Sequence, residues 1–248
     1  MKGKAPPLGA RIVTFKGKVA VMTGGEGPLG RVVCQKFLAE GANLVISWYA
    51  SQEWEDAKSL IGGYQGQFID VQVDASKEDQ VSELMKKAKD TFGSIDMLLH
   101  MVGMYYSGNM IWETDSSTYD RLMEVNLKSA FLASKYALRY MLEKGKGRII
   151  LFPARIAVEP QPKYGAYAIS KAGLITLTQV LREELRGTHI TVNALMPSVM
   201  DTFRTRRIPH AAIENWVKLE EVADLLCSVC SDDFDGVSGS ILKVFGKL

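Results

Sequence analysis

Tyr167 and Lys171 are the two residues whose types and spacing point most directly to chemistry. They stand four positions apart in the segment GRIILFPARIAVEPQPKYGAYAISKAG. On a helix this spacing puts the phenol and the ammonium group on one face, one turn apart. A free phenol has a pKa of about 10, and a neighbouring positive charge favours the phenolate. The pair predicts a general acid or base, although two such residues at helical spacing more often form an ordinary helix face.

A glycine-rich turn is the second chemical feature. The pattern KVAVMTGGEGPLGRVVCQKFLAEGA indicates a buried strand, a turn and an amphipathic helix. Gly24, Gly27 and Gly30 have the spacing G-x-x-G-x-x-G, which lets the backbone approach a pyrophosphate at the positive end of the helix. Pro28 has no N–H group, so one backbone donor of the turn is missing. The position directly after a first strand favours a dinucleotide site.

The remaining patterns place these features in one fold. Apolar strand patterns alternate with helix patterns along the chain, and the last strand pattern is GVSGSILKVFG. This alternation predicts a single α/β domain with a doubly wound parallel sheet, a Rossmann fold, whose ligands bind at the carboxyl ends of the strands. We expect a loose arm over residues 1–16, the domain over 17–248, and the last strand next to the nucleotide-binding half.

Composition is that of an ordinary globular protein. The 248 residues carry a formal net charge of +2, which argues neither for a nucleic-acid partner nor for a membrane-surface partner, and neither is expected. The sequence shows neither a signal peptide nor a membrane span, so a cytoplasmic protein is expected. Cys34, Cys227 and Cys230 form no disulfide framework, and the last two fall on one face of a helix pattern. We expect a buried structural pair there and no metal site.

Asn126 completes a set of residues that resembles a known family. It stands in VNL within the long helix pattern STYDRLMEVNLKSAFLASKYALRYMLEKG, where Asn is a poor helix former. The glycine turn, Asn126, Tyr167 and Lys171 together resemble the short-chain dehydrogenase/reductase family from Lys18 to Gly246. The resemblance implies hydride transfer between NADP or NAD and a small-molecule substrate. Tyr167 is then the proton donor, Lys171 lowers its pKa and holds the ribose, and Asn126 links to Lys171 through a water.

The resemblance also implies the cofactor contacts. They are Gly24, Gly27, Leu29, Gly30, Trp48, Asp74, Gly103, Tyr167, Lys171, Pro197 and Thr202. Trp48 follows the second strand, where an NAD-preferring relative would carry an acid for the adenosine ribose, so the sequence slightly favours NADP. Trp48 is expected to cover the adenine or only to pack. Asp74 is expected to contact the adenine or only to cap the next helix, and His100 is expected to be structural rather than a ribose contact.

Ala154 is the main departure from the family pattern. It stands where relatives have a Ser that helps hold the substrate carbonyl, and Tyr105 is the other implied substrate contact. Ala at this position, the GGEGPLG turn and Tyr105 make the sequence locally most similar to the dihydropteridine reductase group and related bacterial reductases. We expect reduction of a C=O or quinonoid C=N substrate. The alternatives are a 3-oxoacyl-carrier-protein or other carbonyl reductase, and a catalytically inactive dinucleotide-binding scaffold.

Two further expectations come from the resemblance. A segment at about 203–218, with three arginines, occupies the place where relatives cover the substrate. The helices that carry Asn126 and Tyr167 pair across two-fold axes in relatives, so we expect a homotetramer.

Overall fold

The computed structural model of the protein describes residues 13–64, 66–208 and 212–247. Its centre is a parallel sheet of seven strands in the order β3-β2-β1-β4-β5-β6-β7. The strands are β1 Val19–Thr23, β2 Asn43–Trp48, β3 Phe68–Gln72, β4 Met97–His100, β5 Lys146–Leu151, β6 His189–Pro197 and β7 Ile241–Val244. The order of strands reverses between β1 and β4, so the ligand crevice of such a sheet opens at their carboxyl ends.

Helices cover both faces of the sheet, as the alternating patterns predicted. They are α1 Pro28–Ala39, α2 Ser51–Ser59, α3 Glu78–Phe92, α4 Ser116–Leu122, α5 Ser129–Lys144, α6 Gly165–Glu184 and α7 Leu219–Cys230. Successive residues of a strand point to opposite faces, and β1 accordingly sends Ala20 and Met22 into one core and Val21 into the other. The first core packs under α1 and α7 and the second under α3 and α5. The prediction of a doubly wound parallel sheet is confirmed.

Two sequence expectations differ from the structure. The last strand, β7, pairs with β6 and so lies at the edge farthest from the nucleotide-binding half, because Ala194 is in register with Ile241. The predicted loose arm ends earlier than residue 16. Phe15 is buried and stacks on Phe37 with ring centroids 4.7 Å apart. This contact is favourable because it removes the apolar surface of the aromatic ring from water. Residues 1–12 of the arm lie outside the described residues.

The long helix that was predicted around Asn126 contains a wider turn. A π-helical turn over Met123–Lys128 joins α4 to α5, and Asn126 lies inside it, fully buried. Such turns insert one residue into an α-helix and often occur at functional sites. The turn is held to the sheet by Ser129, whose Oγ donates to the carbonyl of Val125 at 2.5 Å and contacts Nε2 of His100 at 3.0 Å.

The three cysteines are free and buried, as expected for structural residues. Burial raises the pKa of the Cys34 and Cys227 thiols to about 12 and raises that of Cys230 as well, so none is a reactive thiolate at neutral pH. Within the described part of the chain, no helix is long and apolar enough to cross a membrane.

Candidate active site

A cleft of about 200 Å³ lies at the point where the strand order reverses. It is formed by the glycine turn after β1 and by the residues that follow β2, β3 and β4. The sequence-predicted residues that line it are Gly24, Gly27, Trp48, Asp74 and Gly103. The fold therefore gathers five predicted site residues from four separate parts of the sequence.

The glycine turn is tied to β2 and packs closely against the start of α1. The backbone N–H groups of Gly24 and Gly25 donate to the carbonyl of Ser47, both at 3.0 Å, which ties the turn to β2. A Cβ at Gly30 would lie 2.4 Å from the carbonyl oxygen of Gly24, so only glycine lets α1 pack this close. Leu29 is buried beneath the turn. Helix α1 begins at Pro28 directly after the turn, and its positive end fits a pyrophosphate.

Trp48 is fixed by packing where β2 ends at the cleft. Its ring stacks on Trp54 with centroids 6.1 Å apart, and its indole N–H donates to Asp70 Oδ2 at 3.1 Å. Trp54 and Lys58 also contact the Asp70 carboxylate, at 2.9 and 3.0 Å. Burial would raise the pKa of Asp70, but these hydrogen bonds together lower it. Trp48 thus has the packing role that was one of two alternatives, while its exposed part lines the cleft.

Asp74 does not cap the helix that follows. Its Oδ1 accepts from the N–H and Oγ of Ser76 at 3.0 and 2.7 Å, whereas α3 begins after Lys77. The Asp74 carboxylate therefore closes the loop after β3 and faces the cleft.

Glu26 is a cleft residue that sequence reasoning missed. Its Oε1 accepts from the backbone N–H of Tyr49 at 2.9 Å, directly after β2. Its Oε2 is buried and has no hydrogen-bond partner among the described residues. Arg31 holds the loop, since it donates to the carbonyls of Glu26 and Glu53 at 3.0 and 2.9 Å. An acid within a glycine turn is visible in the sequence, but its direction toward β2 depends on the fold.

Gly103, Lys171 and Asn126 meet on the other side of the cleft. A Cβ at Gly103 would lie 2.9 Å from Nζ of Lys171 and 3.4 Å from Oδ1 of Asn126, so both groups surround this glycine. Lys171 is buried and donates to the carbonyl of Phe152 at 3.0 Å. Its pKa is lowered to about 8 by burial. The ammonium group of Lys171 therefore lies next to Gly103, a residue that lines the cleft.

Asn126 links three parts of the site. Its Oδ1 accepts from the N–H of Met104 at 2.6 Å, and its Nδ2 donates to the carbonyl of Met104 at 3.0 Å and to Ser170 Oγ at 2.9 Å. Ser170 in turn donates to the carbonyl of Tyr167 at 2.8 Å. Asn126 thus ties the loop after β4 to the helix that carries Tyr167 and Lys171.

Tyr167 packs against Tyr105 in the loop after β4. Its ring meets that of Tyr105 edge-on with centroids 5.5 Å apart, and the Tyr105 hydroxyl contacts Ser107 Oγ at 3.0 Å and Tyr164 Oη at 3.2 Å. The pKa of Tyr167 is raised to about 12, first by burial and then by the neighbouring Tyr105. The expected lowering of this pKa by Lys171 is therefore not what the structure gives, because burial dominates. Ser107 and Tyr164 are further residues that sequence reasoning missed.

The segment after β6 bounds the cleft from the opposite side. Pro197 ends β6 in register with Val244. Thr202 Oγ1 contacts Thr205 Oγ1 at 2.9 Å, so its hydroxyl is engaged within its own loop. Arg204 lines the cleft and forms an ion pair with Glu53 of α2, so the first part of the predicted substrate-covering segment reaches across the cleft. Residues 209–211 of that segment lie outside the described residues.

Two other predicted positions have simple surroundings. Ala154 begins a short 3₁₀ turn after β5 and offers a methyl group where a hydroxyl was expected. His100 is buried, with Nδ1 2.9 Å from Thr23 Oγ1 and Nε2 3.0 Å from Ser129 Oγ. Because Ser129 donates to a carbonyl, Nε2 donates to Ser129 and Nδ1 accepts from Thr23. Burial and the nearby Lys171 lower the pKa of His100 to about 3, so it is a neutral structural residue.

The fold and the cleft together indicate a class of proteins. A parallel sheet with a glycine turn at the β1/β4 reversal is typical of dinucleotide-binding enzymes, and a buried Tyr and Lys stand beside that cleft. The model of the short chain dehydrogenase family matches residues 18–212. The chain belongs to this family and is an NAD(P)-dependent oxidoreductase of the short-chain type.

Individual relatives agree with this assignment. A short-chain type dehydrogenase/reductase of Picea abies is 31% identical, with 93% of this chain and 92% of that protein covered. The 3-oxoacyl-[acyl-carrier-protein] reductase FabG of Thermotoga maritima is 26% identical, with 94% and 98% covered. The solved structure of ElxO with NADP bound superposes with a TM-score of 0.87 over 92% of this chain and 97% of that chain. At 22% identity, this last likeness concerns the fold.

Proposed function

We propose that the protein reduces a C=O or quinonoid C=N bond of a small molecule with NAD(P)H, and that Tyr167 donates the proton. The observation that carries this proposal is the grouping of Tyr167, Lys171 and Asn126, because Asn126 is joined through Ser170 to the carbonyl of Tyr167 and lies with Lys171 beside Gly103. Burial raises the pKa of Tyr167 to about 12, so the phenol holds its proton at neutral pH until a substrate develops negative charge. A proton donor is what reduction requires.

The chain's own residues have separate roles in the proposed reaction. The nicotinamide ring supplies the hydride when the cofactor is bound. Lys171 is buried next to Gly103 with one hydrogen bond to the chain, which leaves ammonium N–H groups for the ribose. Once Tyr167 gives up its proton, the ammonium group one turn away stabilises the phenolate. Asn126 holds the loop after β4 and, through Ser170, the turn of α6 that carries Tyr167.

Ala154 narrows the range of substrates. The loss of one donor to a developing oxyanion typically lowers the rate about a hundred- to thousandfold. An unactivated ketone would suffer this loss in full, while a quinonoid substrate gains from rearomatisation and needs less help. We therefore propose a dihydropteridine-reductase-like preference for quinonoid C=N or reactive quinone substrates. The hydroxyl groups of Tyr105, Ser107 and Tyr164 lie next to one another and are available to bind a polar ring of the substrate.

Two other functions remain as alternatives. A 3-oxoacyl-carrier-protein or other carbonyl reductase is supported by the relative of Thermotoga maritima, which bears that activity in its name. A catalytically inactive scaffold that binds a dinucleotide is supported only by Ala154. An inactive scaffold gives no reason for Lys171 and Asn126 to lie beside one glycine with Tyr167 joined to Asn126 through Ser170, so the geometry favours catalysis.

The decisive experiment compares the wild type with Tyr167→Phe. NADH and NADPH oxidation is followed with quinonoid dihydropterin, a reactive quinone, an unactivated ketone and a 3-oxoacyl thioester. We expect activity on the first two substrates and a loss of at least about a hundredfold in Tyr167→Phe. Tyr140→Phe, which removes a phenol from α5, is the matched control. Equal background rates of wild type and Tyr167→Phe on every substrate, with cofactor bound, would favour the scaffold. Activity on the thioester alone would favour the carbonyl reductase.

We also propose a homotetramer. The surface of the π-helical turn, α5 and α6 exposes large apolar side chains, including Phe131, Ile169 and Val180. A groove between these helices is lined by Met123, Leu127, Phe131 and Leu177 with charged residues around it. Light scattering at micromolar concentration tests the assembly, and a monomer there would contradict it. The cytoplasmic location expected from the sequence stays a prediction.

A further inference from the structure

The carboxylate of Glu26 occupies the place that a ribose-binding acid needs. In dinucleotide-binding sheets this acid normally ends the second strand, and in this chain that position is Trp48. Oε1 of Glu26 instead accepts from the N–H of Tyr49, the first residue after β2, at 2.9 Å. The glycine turn therefore brings a carboxylate to the end of β2 from the neighbouring strand.

The second oxygen of this carboxylate lacks a partner. Oε2 of Glu26 is buried, and no donor in residues 13–64, 66–208 or 212–247 reaches it. A buried acceptor without a hydrogen bond is costly, and a carboxylate oxygen more so than a neutral one. Glu26 also lines the cleft between the glycine turn and Trp48. A ligand hydroxyl at this end of the cleft would supply the missing donor.

The arginines around the cleft do not neutralise the negative charge of the Glu26 carboxylate. Arg204 is paired with the carboxylate of Glu53, and Arg31 donates to the main-chain carbonyls of Glu26 and Glu53. Burial raises the pKa of Asp74, but hydrogen bonds from Ser76 and then the charges of Lys77 and Arg121 lower it, so Arg121 acts on Asp74. A phosphate at the 2′ position would therefore meet an anionic oxygen, whereas a 2′ hydroxyl would meet an acceptor.

We infer that Glu26 receives the hydroxyl groups of the adenosine ribose and makes the protein prefer NAD(H) to NADP(H). This inference rests on the proposed dinucleotide-dependent reduction and revises the slight preference for NADP that the sequence suggested. The acid missing after β2 is replaced by an acid of the glycine turn, which reaches the same place in space. A hydrogen bond from a ribose hydroxyl to Oε2 favours NADH, and charge repulsion of the 2′-phosphate disfavours NADPH.

Binding of the two dinucleotides tests the inference without any substrate. Dissociation constants of NADH and NADPH are measured through fluorescence transfer from protein tryptophans, since Trp48 lines the same cleft. We expect NADH to bind at least about tenfold tighter than NADPH to the wild type. In Glu26→Gln, which keeps an acceptor for Tyr49, the ratio should fall by at least about tenfold. Glu55→Gln removes the same charge from an exposed position of α2 and should leave the ratio unchanged.

Three further measurements keep the result unambiguous. Thermal unfolding shows whether Glu26→Gln is folded, and competition by adenosine 5′-monophosphate against adenosine 2′,5′-bisphosphate repeats the comparison with smaller probes. Raising the salt concentration from about 0.05 M to about 0.5 M should weaken the discrimination of the wild type but not that of Glu26→Gln. The inference is overturned if NADPH binds the wild type as tightly as NADH, or if Glu26→Gln keeps the wild-type ratio. If neither dinucleotide binds, the proposed function itself fails.

Discussion

Replacement of Lys171 by Met should make the protein more stable while it removes activity. Burial lowers the pKa of Lys171 from 10.5 to about 8. Each unit of pKa shift corresponds to about 1.4 kcal/mol, so the buried ammonium destabilises the fold by about 3 kcal/mol at neutral pH. Met has a similar length and no charge, but it leaves the carbonyl of Phe152 without its donor, which costs about 1 kcal/mol. The expected net gain is about 2 kcal/mol near pH 7.

The pH dependence fixes the sign of this effect. Between pH 8 and 10.5 the unfolded Lys171 carries a proton that the folded one lacks. The stability of the wild type therefore rises with pH in this window, while that of Lys171→Met has no such contribution. The gain should be constant below about pH 8 and should fall by about 3 kcal/mol between pH 8 and 10.5, so that the variant ends about 1 kcal/mol less stable than the wild type. The raised pKa of Tyr167 acts on both proteins and cancels in the difference.

Urea unfolding followed by tryptophan fluorescence measures the free energy of unfolding of both proteins at several pH values and one protein concentration. Lys87→Met, the same replacement at an exposed position of α3, is the control and should change stability by no more than about 0.5 kcal/mol at any pH. NAD(P)H oxidation by Lys171→Met should be lost. A variant that is less stable than the wild type near pH 7, or a gain that does not change with pH, would refute the reasoning.

Three shorter predictions concern other parts of the site. Gly103→Ala should lower kcat about tenfold or more and cost about 1–3 kcal/mol of stability, because the new Cβ would lie 2.9 Å from the buried ammonium group of Lys171. Gly236→Ala is the control, since a Cβ at Gly236 would lie in open space. Equal effects of the two replacements would contradict the prediction. His100 is buried and neutral, with a pKa of about 3, so between pH 6.5 and pH 5 only the unfolded state gains a proton at this residue. The free energy of unfolding of the wild type should therefore fall by about 2 kcal/mol over this pH range. Urea unfolding of His100→Gln should lack this fall. Ala154→Ser should raise kcat on unactivated ketones about a hundredfold, whereas Ala157→Ser in the same turn should not; steady-state kinetics on one ketone decides between them.

The sequence was sufficient for the fold because the fold depends on local patterns. Each strand except the last is followed by a helix pattern, and this alternation restricts the sheet to a parallel, doubly wound arrangement. The place of β7 could not be predicted in the same way. Its pattern is that of any buried strand, and only pairing with β6 puts it at the far edge. The end of the arm was missed because Phe15 packs through a contact with Phe37, which is distant in the sequence.

The sequence predicted those site residues for which only one residue type is possible. It did not predict the features that depend on where a side chain points or how deeply it is buried. Gly30 and Gly103 are required because any Cβ would collide with neighbouring groups; the spacing of glycines indicated Gly30, and the family resemblance implied Gly103. The pKa of Tyr167 was misjudged because the charge of Lys171 could be counted from the sequence but the burial of the phenol could not. Glu26 was missed because its side chain crosses to a neighbouring strand, and no local pattern indicates such a contact.

The π-helical turn at Met123–Lys128 also constrains how this chain can change in length. It contains one residue more than an α-helical turn, so the apolar pattern of α5 is out of phase with that of α4. Deleting one residue within this turn would convert it to an ordinary α-helical turn and leave α4 and α5 in their present orientations, because the wider turn alone accommodates the extra residue. A deletion in the regular part of α5 would instead rotate every later residue by about 100° around the helix axis, and core side chains such as Met141 would turn toward solvent. Single-residue deletions should therefore disturb the packing of α5 less within this turn than farther along the helix, and in a sequence alignment with a relative that lacks the extra residue the gap belongs in this turn.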